Sequence, residues 1–323
     1  MKVILFLTVS CITLMQAQAF HYQRQYQDRE KYGYKLSATT TVNGNFRSKE
    51  TGISSHVVSA AGTPVEEVSW ISLRAKTPGG EINLDADAKK VRPYRISLHP
   101  NGSILLPKLE VPSMTGMITD LNTFFVAISP KAGIEKVYKI GETYLNPSLL
   151  YGDWSSADTT PLGQDCAQLK ITLLALSPEL VTLQSDFLPP AESKIKFKKD
   201  WMIPAVTPGI PNNFQMLKRN PDRKLSAFWG NERYIVITKM NRSSGRIMSA
   251  TMENDLTLKM RKGCDVELNS CEAELPVVMH RDLLLESVET GTPNQSVAAD
   301  PQKAWAAEPG TVGLLTDQRI PLC

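Results

Sequence analysis

Three acidic or basic side chains could act on a substrate. His280 lies two positions before Asp282, and Asp120 lies in the segment MITDLNTFF. A histidine oriented by a carboxylate can take a proton from a nucleophile, and an aspartate can act as a general base. However, no serine or cysteine partner for His280 can be located, and an aspartate before an apolar run commonly turns or caps the backbone. We therefore assign no catalytic residue, and keep Asp120, His280 and Asp282 as the set that a hydrolase would use.

The motifs of other common chemistries are missing from the sequence. It has no G-x-S-x-G nucleophile elbow, no H-E-x-x-H, no P-loop and no dinucleotide glycine fingerprint. The four histidines are scattered singly, at His21, His56, His99 and His280. The sequence therefore predicts no metal and no cofactor, and it disfavours an enzyme.

The cysteines favour disulfides over a metal site. Cys264 and Cys271 have six residues between them, so a hairpin end can bring the two side chains opposite each other. Removal of residues 1–19 as a signal peptide takes away Cys11 and leaves four cysteines, so Cys166 and Cys323 then pair by elimination, although four cysteines allow three pairings. A thiolate pair on a metal fits less well, because the spacing is not C-x-x-C and no histidine has ligand spacing.

Methionines are a second candidate for function. Met is flexible and polarisable, so a group of methionines can line a pliable apolar pocket or simply fill a core. The two interpretations are compatible. The methionines concerned are Met114, Met117, Met248, Met252, Met260 and Met279.

The stretch from Gly245 to Glu286 contains the clearest strand pattern. Three apolar residues alternate with three polar ones, and a period of two places one set against a core and the other in water. The inward set is Leu256, Leu258 and Met260, and the outward set is Thr257, Lys259 and Arg261. Residues 246–251 precede this strand, and the polar Glu253–Asp255 between them predicts a reversal of the chain.

The remaining strand patterns predict an all-β, mainly antiparallel fold with few short helices. A first β-rich block covers 35–135 and a second covers 168–286, separated by a linker at 136–167 that is rich in Gly, Pro, Asp and Ser. Residues 169–176 and 180–188 should form a hairpin, and the short apolar run 124–128 should be a strand buried on both faces. The blocks form either two β-rich lobes, which we favour, or one strongly curved sheet.

The two ends of the chain have their own signatures. Lys2, the apolar run 3–14 and Ala17-Gln18-Ala19 follow the order of a secretory signal peptide over residues 1–19, which places the protein in a secreted or periplasmic compartment. Residues 20–34 should be a mobile or loosely docked N-terminal arm, and 287–323 a poorly ordered C-terminal tail.

The composition of the chain disfavours some classes of binding partner. The formal charge is +3, and removing Lys2 with the signal lowers it to +2, which favours neither nucleic acid nor another acidic partner. No second long apolar segment follows the signal, so we expect no transmembrane segment after cleavage.

These observations leave three hypotheses open. The first is a non-catalytic protein that binds a hydrophobic small molecule or a cell-envelope protein, in an apolar concavity of several hundred Å³. The second is an exported hydrolase whose site is assembled from distant residues, which requires Asp120 to meet His280 or Asp282. The third is a structural module of a surface assembly.

Overall fold

The computed structural model describes residues 22–152, 159–161, 165–189, 199–202 and 213–289, with the backbone alone for 149–152, 159–161 and 165–166. The expected signal peptide at 1–19 and Cys323 lie outside these residues. Only 287–289 of the expected C-terminal tail are described, and they continue the last strand and its end.

The described strands form one large, open, curved antiparallel sheet, which is the second of the two architectures allowed by the sequence. The thirteen described strands are β1 (Lys31–Val42), β2 (Asn45–Ser59), β3 (Val65–Thr77), β4 (Gly80–Asn83), β5 (Tyr94–Ile96), β6 (Thr143–Gly152), β7 (Thr159–Pro161), β8 (Asp165–Leu176), β9 (Leu180–Leu188), β10 (Phe214–Arg219), β11 (Leu225–Asn241), β12 (Ile247–Cys264) and β13 (Leu275–Val288).

The strand order explains why two blocks in the sequence make one sheet. The order is β4-β3-β2-β1-β13-β12-β11-β9-β8-β6, so the last strand, β13, pairs with the first, β1. β10 pairs with β11 beyond the end of β9, and β5 pairs with β3. The β8–β9 hairpin has the predicted position, and Leu169, Ile171 and Leu173 are buried on one face of it.

The alternation predicted for β12 is confirmed at its start, but the predicted reversal is wrong. Leu256 and Leu258 are buried and Thr257 is exposed, whereas Met260, Lys259 and Arg261 are all half-buried. Glu253–Asp255 do not turn, because β12 runs straight through them and pairs with β11 on one side and β13 on the other. Their polar character suits a strand whose inward Asn254 has a polar partner, and the sequence alone does not reveal that partner.

The interpretation of 124–128 as a strand is also wrong. Helix α1 (Asp85–Ala88) is short, but α2 (Thr115–Val126) is a three-turn helix that contains Phe124 and Phe125, both fully buried. A short apolar run fits a buried strand and a buried helix equally well, so its periodicity could not separate them.

Helix α2 lies across one face of the curved sheet, which we call the inner face. At its start, Met117 packs near Gly52 of β2, where an added Cβ would lie 3.2 Å from the Met117 sulfur. At its end, the Ser185 hydroxyl of β9 donates a hydrogen bond of 2.7 Å to the Ala127 carbonyl. The helix therefore spans the sheet from β2 to β9, and its apolar side chains fill this half of the inner face.

The stretch 20–34, expected to be a mobile or loosely docked arm, differs from that expectation, since 31–34 begin β1 and Tyr22, Arg24 and Tyr26 contact the sheet. Arg24 is only 4% exposed, and its guanidinium donates a 2.9 Å hydrogen bond to Glu30. The Gln25 amide donates to the Ser244 carbonyl in the β11–β12 turn. Tyr22 and Tyr26 also pack against the core, so ion pairs, hydrogen bonds and aromatic contacts together hold the arm.

Among the residues described, no helix combines the length and apolar character needed to cross a bilayer.

Candidate functional site

The inner face is organised in rows that run across the strands. Directly opposed residues in antiparallel strands share a face, so the register gives the order of side chains across the sheet. One such row, the polar row, contains Thr40, Arg281, Asn254 and Tyr234 on β1, β13, β12 and β11. It separates the half filled by α2 from the other half of the inner face.

A buried ion pair lies at the polar row. Arg281 donates two hydrogen bonds to the Asp120 carboxylate of α2, at 2.9 and 2.6 Å. The Asp120 side chain is 6% exposed and that of Arg281 is 20% exposed. Such a fork geometry is the strongest form of carboxylate–guanidinium contact, and it fixes α2 against the centre of the sheet.

Two further carboxylates surround this pair. Glu232 of β11 accepts a 2.9 Å hydrogen bond from Asn254, and Glu50 of β2 lies beside the start of α2. Burial raises the pKa of Glu50 and of Glu232, although Arg281 opposes the shift in both cases. Burial would lower the pKa of Arg281, but the nearby carboxylates, Asp120 first among them, raise it.

The electrostatic balance of this group is uneven. It contains three carboxylates, of Asp120, Glu50 and Glu232, and one guanidinium, of Arg281. With every group ionised, its formal charge is −2. A buried excess of negative charge is unfavourable unless protons or an added cation compensate it, and the raised pKa values of Glu50 and Glu232 reflect that cost.

Beyond the polar row lies an apolar area that we call the methionine surface. Its partly exposed members are Val42, Met216, Phe228, Met260 and Met279, which pack on a buried floor of Phe214, Leu256, Leu258 and Val277. The rows of the sheet bring them together, because Val42 opposes Met279, Met279 opposes Leu256, and Met260 opposes Phe228. The surface contains three methionines from three different strands.

The methionines singled out in the sequence thus fall into two groups on the inner face: some fill the core and others line a partly exposed surface. Met114, Met117 and Met252 are buried in the core around α2 and serve packing. Met260 and Met279 remain half-buried on the methionine surface, together with Met216. Met248 lies elsewhere, in a pocket of about 600 Å³.

That pocket does not match the apolar concavity that the binding hypothesis predicted. Its volume of about 600 Å³ is suitable for a small ligand, but charged Lys31, Arg246 and Glu289 contribute to its lining. Partly exposed apolar side chains, which the hypothesis also requires, are grouped on the methionine surface instead.

The hydrolase set proposed from sequence is wrong. Arg281 points to Asp120 on the inner face, and its neighbours His280 and Asp282 therefore point to the outer face of the same strand. His280 contacts Asp255 at 2.7 Å and Asp282 at 3.1 Å. The hydrogen bond with Asp255, and then Asp282, raise the pKa of His280. Asp120 lies on the other side of the sheet from both groups.

A second buried network was not foreseen from the sequence. The His56 ring lies 3.1 Å from the Ser54 hydroxyl and 3.2 Å from the Glu66 carboxylate, and Arg24 approaches Glu66 at 3.5 Å. Burial alone would raise the pKa of Glu66, but His56 and Arg24 together lower it.

The connectivity of this network is that of a serine–histidine–acid relay. However, Ser54, His56 and Glu66 are each at most 1% exposed, and His56 stacks between Tyr32 and Phe125. No substrate can reach the Ser54 hydroxyl in this conformation, so the network holds the arm and α2 against the sheet. The sequence could have revealed this network, because Ser54 and His56 are two residues apart on β2 and therefore point to the same inward face.

The structure contains a disulfide between Cys264 and Cys271, the pair favoured by the sequence. It closes the β12–β13 connection next to a small cluster around Trp229 on the outer face. The pairing of Cys166 with Cys323 stays a prediction, since neither side chain is described. No group of three His, Cys, Asp or Glu side chains in the described ranges could hold a metal ion.

No family model and no curated protein matches this chain. Solved structures with some likeness include one of lipid-protein interactions in lipovitellin, at 10% identity and a TM-score of 0.38, covering 85% of this chain and 27% of that chain. Another is OccK5 (OpdH) of Pseudomonas aeruginosa, at 8% identity and a TM-score of 0.19, covering 83% of this chain and 100% of that chain. This chain thus spans about a quarter of the lipovitellin chain. At these scores neither likeness bears on ligand or function.

Proposed function

We propose that this chain is an exported, non-catalytic protein that binds a hydrophobic small molecule on the methionine surface. The observation that carries the proposal is the group of five partly exposed apolar side chains on the inner face beyond α2, over an apolar floor. When a ligand covers grouped apolar side chains that are in contact with water, the free energy falls, which favours binding.

The chemistry of the surface supports a small molecule of adaptable shape. Three of the five side chains are methionines, which adjust their rotamers at little cost and so accept ligands of different outline. The sheet supplies a rigid floor, because the buried Leu256 and Leu258 belong to β12, which pairs with strands on both sides.

Export is the part of the proposal that the sequence supports, through the signal pattern at 1–19 and the use of cysteines in a disulfide. N-terminal sequencing of protein from its own host tests it. A mature terminus at Phe20 is expected, and a retained Met1 would count against export.

Ligand binding is tested with the neutral apolar dye N-phenyl-1-naphthylamine, whose fluorescence rises in an apolar site. Met279→Gln replaces an inner-face side chain by a polar one of similar shape, and we expect it to weaken dye binding about tenfold. The matched control is Val278→Gln on the same strand, since Val278 is 52% exposed on the outer face. This control should bind like the unmodified protein.

Urea unfolding of both variants separates a lost contact from a lost fold. Absence of dye binding to the unmodified protein would overturn the proposal. Equal loss in the two variants would show that the dye binds away from the methionine surface.

A further inference from the structure

The methionine surface borders the negatively charged group at the polar row. Glu232 lies directly opposite Leu256, and Leu256 lies opposite Met279, so the carboxylate and the apolar side chains belong to one row of the inner face. Arg281 is the next inward residue after Met279 on β13. A molecule resting on the methionine surface therefore has the polar row at one end.

We infer that the ligand is an amphiphile whose polar end is a cationic amine, placed next to Glu232 at the border of the methionine surface. This inference rests on the proposed function, because the apolar body of the ligand must occupy that surface. Its evidence is charge complementarity between an amine and a group with three carboxylates and one guanidinium.

The partners already present at the polar row favour an amine over an acid. Arg281 is engaged by both oxygens of Asp120, so a ligand carboxylate would compete with a buried, doubly hydrogen-bonded partner. It would also bring a fourth negative charge next to Glu50 and Glu232. An ammonium group instead reduces the excess charge and can donate to Glu232, whose described side-chain hydrogen bond comes from the neutral amide of Asn254.

The affinity of Glu232 for a proton also supports binding of an ammonium group at this position. Burial raises its pKa, so the carboxylate holds a proton to higher pH than an ordinary glutamate. A bound ammonium would favour the ionised form, and binding should therefore release a proton and strengthen as the pH rises through the raised pKa of Glu232.

The test compares three ligands with the same twelve-carbon chain, dodecylamine, dodecanol and dodecanoate, by displacement of the dye at concentrations where each is dissolved as single molecules. At pH 7 the amine is protonated and the acid is ionised. We expect the amine to bind about five- to tenfold more tightly than the alcohol, since a charge-assisted hydrogen bond replaces a neutral one. The acid should bind most weakly.

Glu232→Gln should abolish the preference for the amine while it keeps the binding of the alcohol. The glutamine oxygen can still accept from Asn254, so the variant retains the hydrogen bond that orders the site. Glu253→Gln is the matched control, because Glu253 is exposed on the outer face of β12 and leaves the polar row intact. It should retain the full preference, which excludes general attraction of a cation to acidic residues.

The outcomes distinguish the two proposals. If none of the three molecules displaces the dye, the proposed function itself is wrong. If all three displace it equally, or if the amine preference survives in Glu232→Gln, the apolar surface stands and the inference about the amine is overturned.

Discussion

Replacement of Arg281 by methionine is the sharpest perturbation of the polar row. The substitution removes the one guanidinium that lies between three carboxylates and keeps a long apolar stem of similar length. Asp120 then loses both of its hydrogen bonds at a side-chain exposure of 6%. We expect a large loss in the free energy of unfolding, which depends on pH.

The magnitude follows from the cost of an uncompensated buried charge. Removing one partner of a buried ion pair costs about 3–5 kcal/mol. The variant can avoid the uncompensated charge by keeping one more glutamate of the group protonated. At pH 7, against an ordinary pKa of about 4.3, this protonation costs about 3.7 kcal/mol of folding free energy, which agrees with that range. At pH 5 the same neutralisation costs only about 1.1 kcal/mol, because the unfolded chain also begins to take up the proton. The deficit of Arg281→Met should therefore shrink by about 2.6 kcal/mol between pH 7 and pH 5.

Urea unfolding followed by circular dichroism at the two pH values measures this deficit. Arg233→Met on the outer face is the matched control, since Arg233 is 58% exposed and contacts Asp255 at 3.4 Å. Exposed pairs contribute little, so this control should lose at most about 1 kcal/mol at either pH. A deficit for Arg281→Met that is equal at pH 7 and pH 5 would refute the reasoning.

Asp120→Asn gives a second check on the same argument. It removes one of the three carboxylates and leaves Arg281 with Glu50 and Glu232 nearby. Because the remaining carboxylates can still compensate the guanidinium, its cost should be smaller than that of Arg281→Met. The opposite order would mean that Asp120 alone balances the charge of Arg281.

Two further predictions concern the outer face and the hairpin end. The pKa of His280 should lie above its ordinary value, because Asp255 and Asp282 stabilise the charged ring. Asp255→Asn should lower this pKa. Titration by NMR measures the pKa in both proteins, and an unchanged pKa in the variant would contradict the assignment. Since the folded pKa of His280 is the higher one, its contribution to stability is complete below about pH 6.5 and is lost as the pH rises through the folded value. The Cys264–Cys271 disulfide closes a loop between residues separated by 7 positions. Its reduction should lower the free energy of unfolding by about 2.5 kcal/mol. Urea unfolding with and without reductant measures this loss, and an unchanged midpoint would contradict the bond.

The period-two patterns of the sequence predicted several strands and the faces of their side chains, but β6 and β7 lie in the stretch 136–167 that was interpreted as a linker. Leu256, Leu258 and Met260 point inward as predicted, and the β8–β9 hairpin has its predicted turn. The same rule, applied to β13, would have placed Arg281 inward between Met279 and Leu283. An inward charge between two apolar residues is the sequence signal for the polar row, whereas His280 and Asp282 occupy outward positions.

Other features depended on contacts that sequence does not reveal. The polar Glu253–Asp255 continue a strand because Asn254 meets Glu232, a residue of another strand. Phe124 and Phe125 belong to a helix because that helix has the inner face of a sheet to cover. Long-range packing decides both cases, and it outweighs local preference.

The pairing of β1 with β13 has a consequence for the order of events during synthesis. Gly33 emerges from the ribosome long before Val288, its partner in the register, so β1 must wait for nearly all of the described chain before its ladder can close. Such distant pairing slows folding and leaves an open strand edge on the nascent polypeptide. A chaperone that shields β1 during this interval would therefore raise the yield of native protein.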